Sequence, residues 1–297
     1  MAAQGFPAAE VDLTAPLVRR LLAEQHPDLA EHPLTLVANG WDNVIFRLGD
    51  DLVVRLPRRQ LAAELVLNEQ RVLPGLAQRL PLAIPTPVRL GRPSDGYPWH
   101  WSVCRWFDGS VAADVPLGDP AREAERLGAF LAALHEVAPP EAPVNPYRGH
   151  PIAELHDRFI DRVGQLEATV PTRQMLDRWH GLADVGEWER PAVWLHGDLH
   201  SANVIVDDGS LVAVVDWGDV TSGDPACDFA IGWMLFDVDE RQVFRQSAGR
   251  VTPVGDATWQ RAEAWALHFA VMYLVHSADS EQFDRMGTTL LARLLPS

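Results

Sequence analysis

The run His196-Gly197-Asp198-Leu199-His200-Ser201-Ala202-Asn203 sets a carboxylate five residues before an amide, and Asp216-Trp217-Gly218-Asp219 follows one hairpin later. Asp198 could orient a hydroxyl and accept its proton as the oxygen attacks. Asn203 and Asp216 offer hard oxygen ligands of the kind that suit Mg2+. Phosphoryl transfer needs little more: positioning, a metal against the phosphates, and positive charge along the phosphate tail. The same run reads in two other ways. His196, Asp198 and His200 are spaced as a metal triad, since two imidazoles and a carboxylate suit zinc or iron; a metallohydrolase would leave Asn203 and the Asp216 block without a task. Asp198 could also simply cap a helix.

The elements that must position these residues fall into two textures. Thr14 is placed to cap a first helix whose Leu17, Val18, Leu21 and Leu22 share one face. Leu34 to Ala38, Val44 to Leu48 and Leu52 to Leu56 read as a strand meander, turned by Asn39-Gly40-Trp41-Asp42-Asn43 and by Gly49-Asp50-Asp51. A helix is expected over Gln60 to Arg79, with Pro74 ending or kinking it. Strands are expected at Pro87 to Leu90 and Trp99 to Val103. After Phe107-Asp108-Gly109 helical periodicity takes over in Ala121 to Val137, through Leu127, Phe130, Leu131 and Leu134. Further helices are expected at Ile152 to Leu166 and Thr172 to Ala183. A hairpin island follows, Ala192 to Leu195, Val204 to Val206 and Leu211 to Val215, and the tail from Asp224 reads as mostly helical. No internal repeat or low-complexity linker interrupts the 297 residues.

Composition narrows the field. The formal net charge is -16, which disfavours nucleic acid and anionic membranes and would favour a cationic ligand. Cys104 and Cys227 stand far apart, so neither a disulfide scaffold nor a structural zinc site is expected. Met1 to Glu10 lacks the order of a signal peptide, and the apolar stretch Trp265 to Val275 is too short to span a bilayer. A cytoplasmic protein is the expectation. The sequence contains no lysine, so all 25 basic residues are arginine and every fixed positive charge falls to Arg.

Trp194 to Val204 (WLHGDLHSANV), Val215-Asp216-Trp217, and Gly223-Asp224-Pro225 with Asp228 together resemble the aminoglycoside phosphotransferase family, whose two-lobed protein-kinase-like fold is shared with choline kinases. The resemblance implies an α+β fold: a β-rich nucleotide-binding N-lobe over 1–103, a hinge over 104–109, and a larger helical C-lobe over 110–297 carrying the catalytic loop and the acceptor, with a cleft between the lobes. It implies Asp198 as catalytic base, Asn203 and Asp216 as Mg2+ ligands, and His196 and Asp228 as supports of the catalytic loop. Gly40, Asp42 and Asn43 would belong to the nucleotide loop, Ile205 would sit under the base, and Cys104 to Phe107, with Trp106, would form the hinge. Glu69 would be the helix glutamate that pairs with the cation of the third strand. That cation is Arg55 where the kinase pattern has lysine, and the two are not interchangeable; Arg58 is the other candidate phosphate anchor. Trp217 stands where kinases carry the Phe of D-F-G. Asp237, Asp239 and Glu240 lie where the family often reads its acceptor, or form a solvated helix end.

The expected co-substrates are ATP or GTP with Mg2+, and a small-molecule hydroxyl acceptor, best taken as an aminoglycoside or related cationic antibiotic. A macrolide, a peptide antibiotic, choline or a sugar would serve the same chemistry. A nucleotide-binding protein without catalysis is the alternative should Arg55 fail to do the work of lysine.

Overall fold

Thr14 opens the first helix of the protein, which is described by a computed structural model at residues 8–166, 170–183 and 185–295. The Thr14 hydroxyl accepts the Leu17 N–H and starts α1 (Ala15–Gln25), whose Leu17, Val18, Leu21 and Leu22 are buried. The chain separates into two compact units. One holds residues up to 79, 83–108 and the short segment 215–218; the other holds 80–82, 109–214 and the remainder from 219.

In the first unit β1 (Leu34–Asn39), β2 (Asn43–Leu48) and β3 (Leu52–Pro57) form the meander, followed by α2 (Gln60–Leu76), β4 (Pro87–Gly91) and β5 (Trp101–Arg105). The five strands make one antiparallel sheet in the order β1-β2-β3-β5-β4. Its core joins α1 to Phe46, Val54, Tyr97 and Trp101. Several boundaries differ by one to three residues from the sequence expectation, and two of them are informative. The second helix ends at Leu76, short of Arg79, and carries Pro74 inside it: the Ala77 N–H still bonds to the Leu73 carbonyl at 2.9 Å, so the proline does not end the helix. The last strand starts at Trp101; Trp99 instead fixes itself by its indole N–H, which donates to Gln60 Oε1 at 2.8 Å. Gly91 lets the sheet close over Trp101, since a Cβ there would lie 1.9 Å from the indole ring.

The second unit contains β6 (Ser110–Val111), α3 (Pro120–Leu134), α4 (Ile152–Val163), α5 (Thr172–Ala183), β7 (Val193–Leu195), β8 (Val204–Asp207), β9 (Ser210–Val214) and β10 (Thr221–Gly223). It continues through α6 (Ala226–Phe229), α7 (Ile231–Leu235), α8 (Val238–Ala248), α9 (Asp256–Val275) and α10 (Glu281–Leu294). The expected hairpin island divides here. β8 and β9 pair with each other and with β6, whereas β7 pairs with β10. Neither β6 nor β10 has the length for a period-two pattern to show, so their partners were not legible in the sequence. α9 is buried around most of its circumference and is the central helix of this unit, as an all-round apolar helix must be. Among the described residues no helix is long and apolar enough to cross a membrane.

Candidate active site

The first unit carries a buried charge cluster. Arg55 lies on β3 with Ile45 and Ser102 as its strand neighbours, and its side chain is only 7% exposed. Its guanidinium reaches Glu69 of α2 at 2.8 Å and Asp216 at 3.3 Å. The Glu69 carboxylate also accepts the Trp217 N–H. Burial opposes the Arg55 charge, but Glu69 and then Asp216 outweigh it, so the guanidinium is held more firmly protonated than a free arginine. Asp216 has a left-handed backbone, φ 60°, unusual outside glycine, while Trp217 beside it is fully buried. The Asp216 carboxylate is well exposed and lies beside the Arg55 fork.

Arg58 does something different. It is buried, and its guanidinium donates to the Gly40 carbonyl at 2.7 Å while its backbone N–H donates to the Asp42 carbonyl. Asp42 is paired with Arg59, and the Gly40 N–H closes on the Asn43 carbonyl at 2.9 Å. The turn at Gly40 to Asn43 is thereby laced to the end of β3, and Asn43 Oδ1 is left buried without a partner. Cys104 is buried on β5, its thiol pushed up to about 12 by desolvation. Trp106 lies beyond β5, donates its indole N–H to Asp108 and stacks under the Arg47 guanidinium.

In the second unit the catalytic-loop candidates are held by Asp228, a fully buried carboxylate that accepts the backbone N–H groups of His196 and Gly197 at 2.8 and 3.0 Å. His135 at the end of α3 reaches the same carboxylate at 3.1 Å. Gly197 has φ +88°, and a Cβ there would lie 2.3 Å from the Asp219 carbonyl, so only glycine permits this turn. His196 is fully buried and its Nδ1 accepts the Asp198 N–H. His200 Nδ1 accepts the Ala202 N–H, and its Nε2 lies 3.2 Å from Asn203 Nδ2 and 3.6 Å from Asp198 Oδ2. One ring nitrogen of each imidazole of the His-x-Asp-x-His run is thus occupied by backbone, and His196 and His200 have become braces of the loop.

Asn203 donates its Nδ2 to the Asp198 carbonyl at 2.9 Å, which leaves its amide oxygen as a hard donor. Ile205 alternates with buried Val204 and Val206 on β8 and is itself half-buried. Asp198 and Asn203 therefore share one loop, braced by Asp228 of α6, while at the acidic start of α8 Asp237 pairs with Arg293 and Asp239 is exposed.

Arg148 is the residue that sequence reasoning missed. It lies in the irregular stretch before α4 and donates to Asp198 Oδ1 at 2.6 Å and to Asp219 at 3.3 Å. Asn145 holds Asp219 from the same stretch at 2.7 Å. Burial pushes the Asp198 carboxyl up, but Arg148, and then the His200 imidazole, outweigh it and hold Asp198 well below the usual carboxylate range. No spacing or motif could have announced Arg148, since its partners lie about fifty and seventy positions away.

A family model described as "Phosphotransferase enzyme family" matches residues 33–265. The uncharacterized protein YcbJ of Bacillus subtilis (strain 168) is 22% identical over 216 residues, spanning 67% of this chain and 69% of that protein. Among solved structures, the GDP and kanamycin complex of APH(2")-IIia superposes with a TM-score of 0.71 at 19% identity, covering 93% of this chain and 98% of that one. The apoenzyme of macrolide 2'-phosphotransferase MphH from Brachybacterium faecium gives 0.63 at 23% identity, covering 95% and 98%. The fold, an antiparallel sheet followed by a helical region, is the kinase-like α+β fold of these phosphotransferases.

Proposed function

The chain belongs to the phosphotransferase enzyme family, and on that premise we propose that it moves the γ-phosphoryl group of ATP or GTP onto a hydroxyl of a small molecule, with Asp198 orienting that hydroxyl. The observation that carries the reading is the Asp198 carboxylate, kept ionised by Arg148 and His200 on a loop whose Asn203 presents a free amide oxygen. In the step, a bond forms between the acceptor oxygen and the γ-phosphorus and the bond from that phosphorus to the β-phosphate oxygen breaks. The leaving nucleoside diphosphate takes the electron pair, and the hydroxyl proton passes to Asp198 and on to solvent. A carboxylate held this far down is a weak proton acceptor. That suits a loose transition state, in which little proton transfer is needed and orientation supplies most of the gain.

Asn203 and Asp216 each supply a hard oxygen, and they are the residues assigned to hold Mg2+, whose chemistry there is neutralisation of charge on the phosphate oxygens. Arg55, fixed by Glu69, is assigned to the phosphate tail, with Gly40, Asp42 and Asn43 as the nucleotide turn, Cys104 and Trp106 beside the base edge and Ile205 under the base. Similar solved structures include a kanamycin complex and a macrolide 2'-phosphotransferase, which supports a small-molecule hydroxyl acceptor for this chain without setting its charge class. The test is transfer of label from γ-labelled ATP and GTP to a panel of hydroxyl acceptors. Asp198→Asn is expected to lower kcat by about 10²–10⁴-fold with nucleotide still bound. A variant that keeps the wild-type rate would remove Asp198 from the chemistry.

A further inference from the structure

Near Arg148, α4 and α9 bring together two arginines that have no carboxylate partner among the described residues. Arg148 stacks over the Phe269 ring of α9 at 5.2 Å, and Phe269 in turn stacks on Tyr273 one helical turn later. The His200 ring meets Tyr273 edge-on at 5.8 Å. Arg158 and Arg162 lie four residues apart on α4, on one face. Arg162 reaches His268 Nε2 of α9 at 3.0 Å, and Arg158 lies over the Tyr147 ring.

The chain has 41 acidic residues against 25 arginines, so a carboxylate partner is easy to find. Among the described residues neither Arg158 nor Arg162 has one, although Glu154, Asp157 and Asp161 share their helix; Glu154 pairs with His150 instead. Arg162 is held below an ordinary arginine by burial, then by Arg158 and Arg148. His268 is kept neutral by burial and by Arg162, Arg148 and Arg158. Two further groups stand idle here: His268 Nδ1 and the Tyr273 hydroxyl are both buried with no hydrogen-bond partner, in residues only 2% exposed. Unneutralised like charges and orphaned buried polar atoms both cost stability, and both are repaired by one anionic, hydrogen-bonding ligand. A cationic aminosugar would add to the repulsion.

We propose that the acceptor carries an anionic group, a carboxylate or a phosphate, held by Arg158 and Arg162, with Tyr273 and His268 supplying neutral hydrogen bonds. This rests on the reading of Asp198 as the residue that orients the acceptor hydroxyl. The planar guanidinium fork matches either anion. The acceptor hydroxyl replaces the Arg148 N–H at Asp198, and Arg148 is freed to swing toward the anion or the transferring phosphoryl group.

The test separates charge class from catalysis. Wild-type protein is titrated with gluconate, glycerol 3-phosphate, neutral sorbitol and kanamycin, binding is read by tryptophan fluorescence, and transfer is read by label from ATP. At least one of the two anions should bind about tenfold or more tightly than sorbitol and kanamycin, and which one identifies the anion. The paired change Arg158→Gln with Arg162→Gln should lose about tenfold or more of that affinity, and Arg158→Lys with Arg162→Lys should recover part of it. Anion affinity should also fall with added salt, a response that a packing role would not give. Kanamycin or sorbitol binding as tightly as both anions, or glutamine variants that are folded by circular dichroism and keep anion affinity, would overturn the proposal. Label transfer to kanamycin that disappears in Asp198→Asn would uphold the phosphotransfer reading and sink the anionic acceptor. Anion binding lost in the arginine variants, with transfer surviving Asp198→Asn, would do the reverse.

Discussion

Two arginines in this protein each sit between two carboxylates, and the settings of Arg55 and Arg148 could hardly differ more. Arg55 is locked by regular structure: β3 fixes its direction, α2 presents Glu69, and the strained Asp216 completes the set. Arg148 comes from an irregular stretch and grips Asp198 and Asp219, which are themselves held by loops. The first arrangement is a fixture, because removing either partner strands a charge in a dry interior. The second is a clasp on a quarter-exposed carboxylate that a ligand hydroxyl can replace. The same ion-pair chemistry therefore serves anchoring in one unit and reversible occupation in the other.

The sharpest way to break this comparison is Arg55→Met, which leaves Glu69 buried and unpaired. It should cost about 3–5 kcal/mol of stability, read by urea unfolding; a loss under about 1 kcal/mol would mean that the pair is not the fixture described. Arg55→Lys keeps the charge but not the two-pronged reach, so nucleotide affinity should fall. A rise in activity would instead mark the arginine as an impairment of the site.

Asp228→Asn comes next. An amide in place of this carboxylate loses acceptor capacity where the His196 and Gly197 N–H groups converge, at about 1–3 kcal/mol in thermal or urea unfolding. Its kcat should fall with it, since the catalytic loop loses its tether.

Arg148→Gln tests the clasp by pH. Asp198 has a folded pKa held below its unfolded value of about 3.9. The stability it contributes is therefore complete above the unfolded pKa and lost as pH falls through the folded one. Without Arg148 the folded pKa rises. Acid unfolding should begin at higher pH, and the acid limb of the transfer rate should move up with it. A limb that stays in place would show that His200 alone sets the charge of Asp198. At the small end, Arg89→Ala removes an exposed pair with Asp28 and should change stability by no more than about 0.5 kcal/mol.

The two clusters also differ in how far they could be read in advance. Arg55 and Glu69 could be picked out only through the family resemblance, since β3 is buried almost throughout and shows no alternation, whereas Asp198, Asn203 and Asp216 stood out because their spacing is local. The meander β1 to β3 and the helices α1 and α3 were legible for the same reason, as runs long enough to show a period. β6 and β10 were not, since two- and three-residue strands have no period, and the pairing of β7 with β10 across the chain followed from neither.

What the sequence determined by itself is local. The order of chemical groups along the Asp198 loop and the absence of lysine, which makes every anchoring cation a guanidinium, are properties of neighbouring residues or of composition. Only the tertiary structure decided that Arg148 would clasp Asp198, and that Arg162 would reach His268 of α9 with no carboxylate partner among the described residues. Such pairings join residues far apart in the chain. Their energy depends on burial and on which counter-charge lies nearby, and neither quantity exists until the helices have packed.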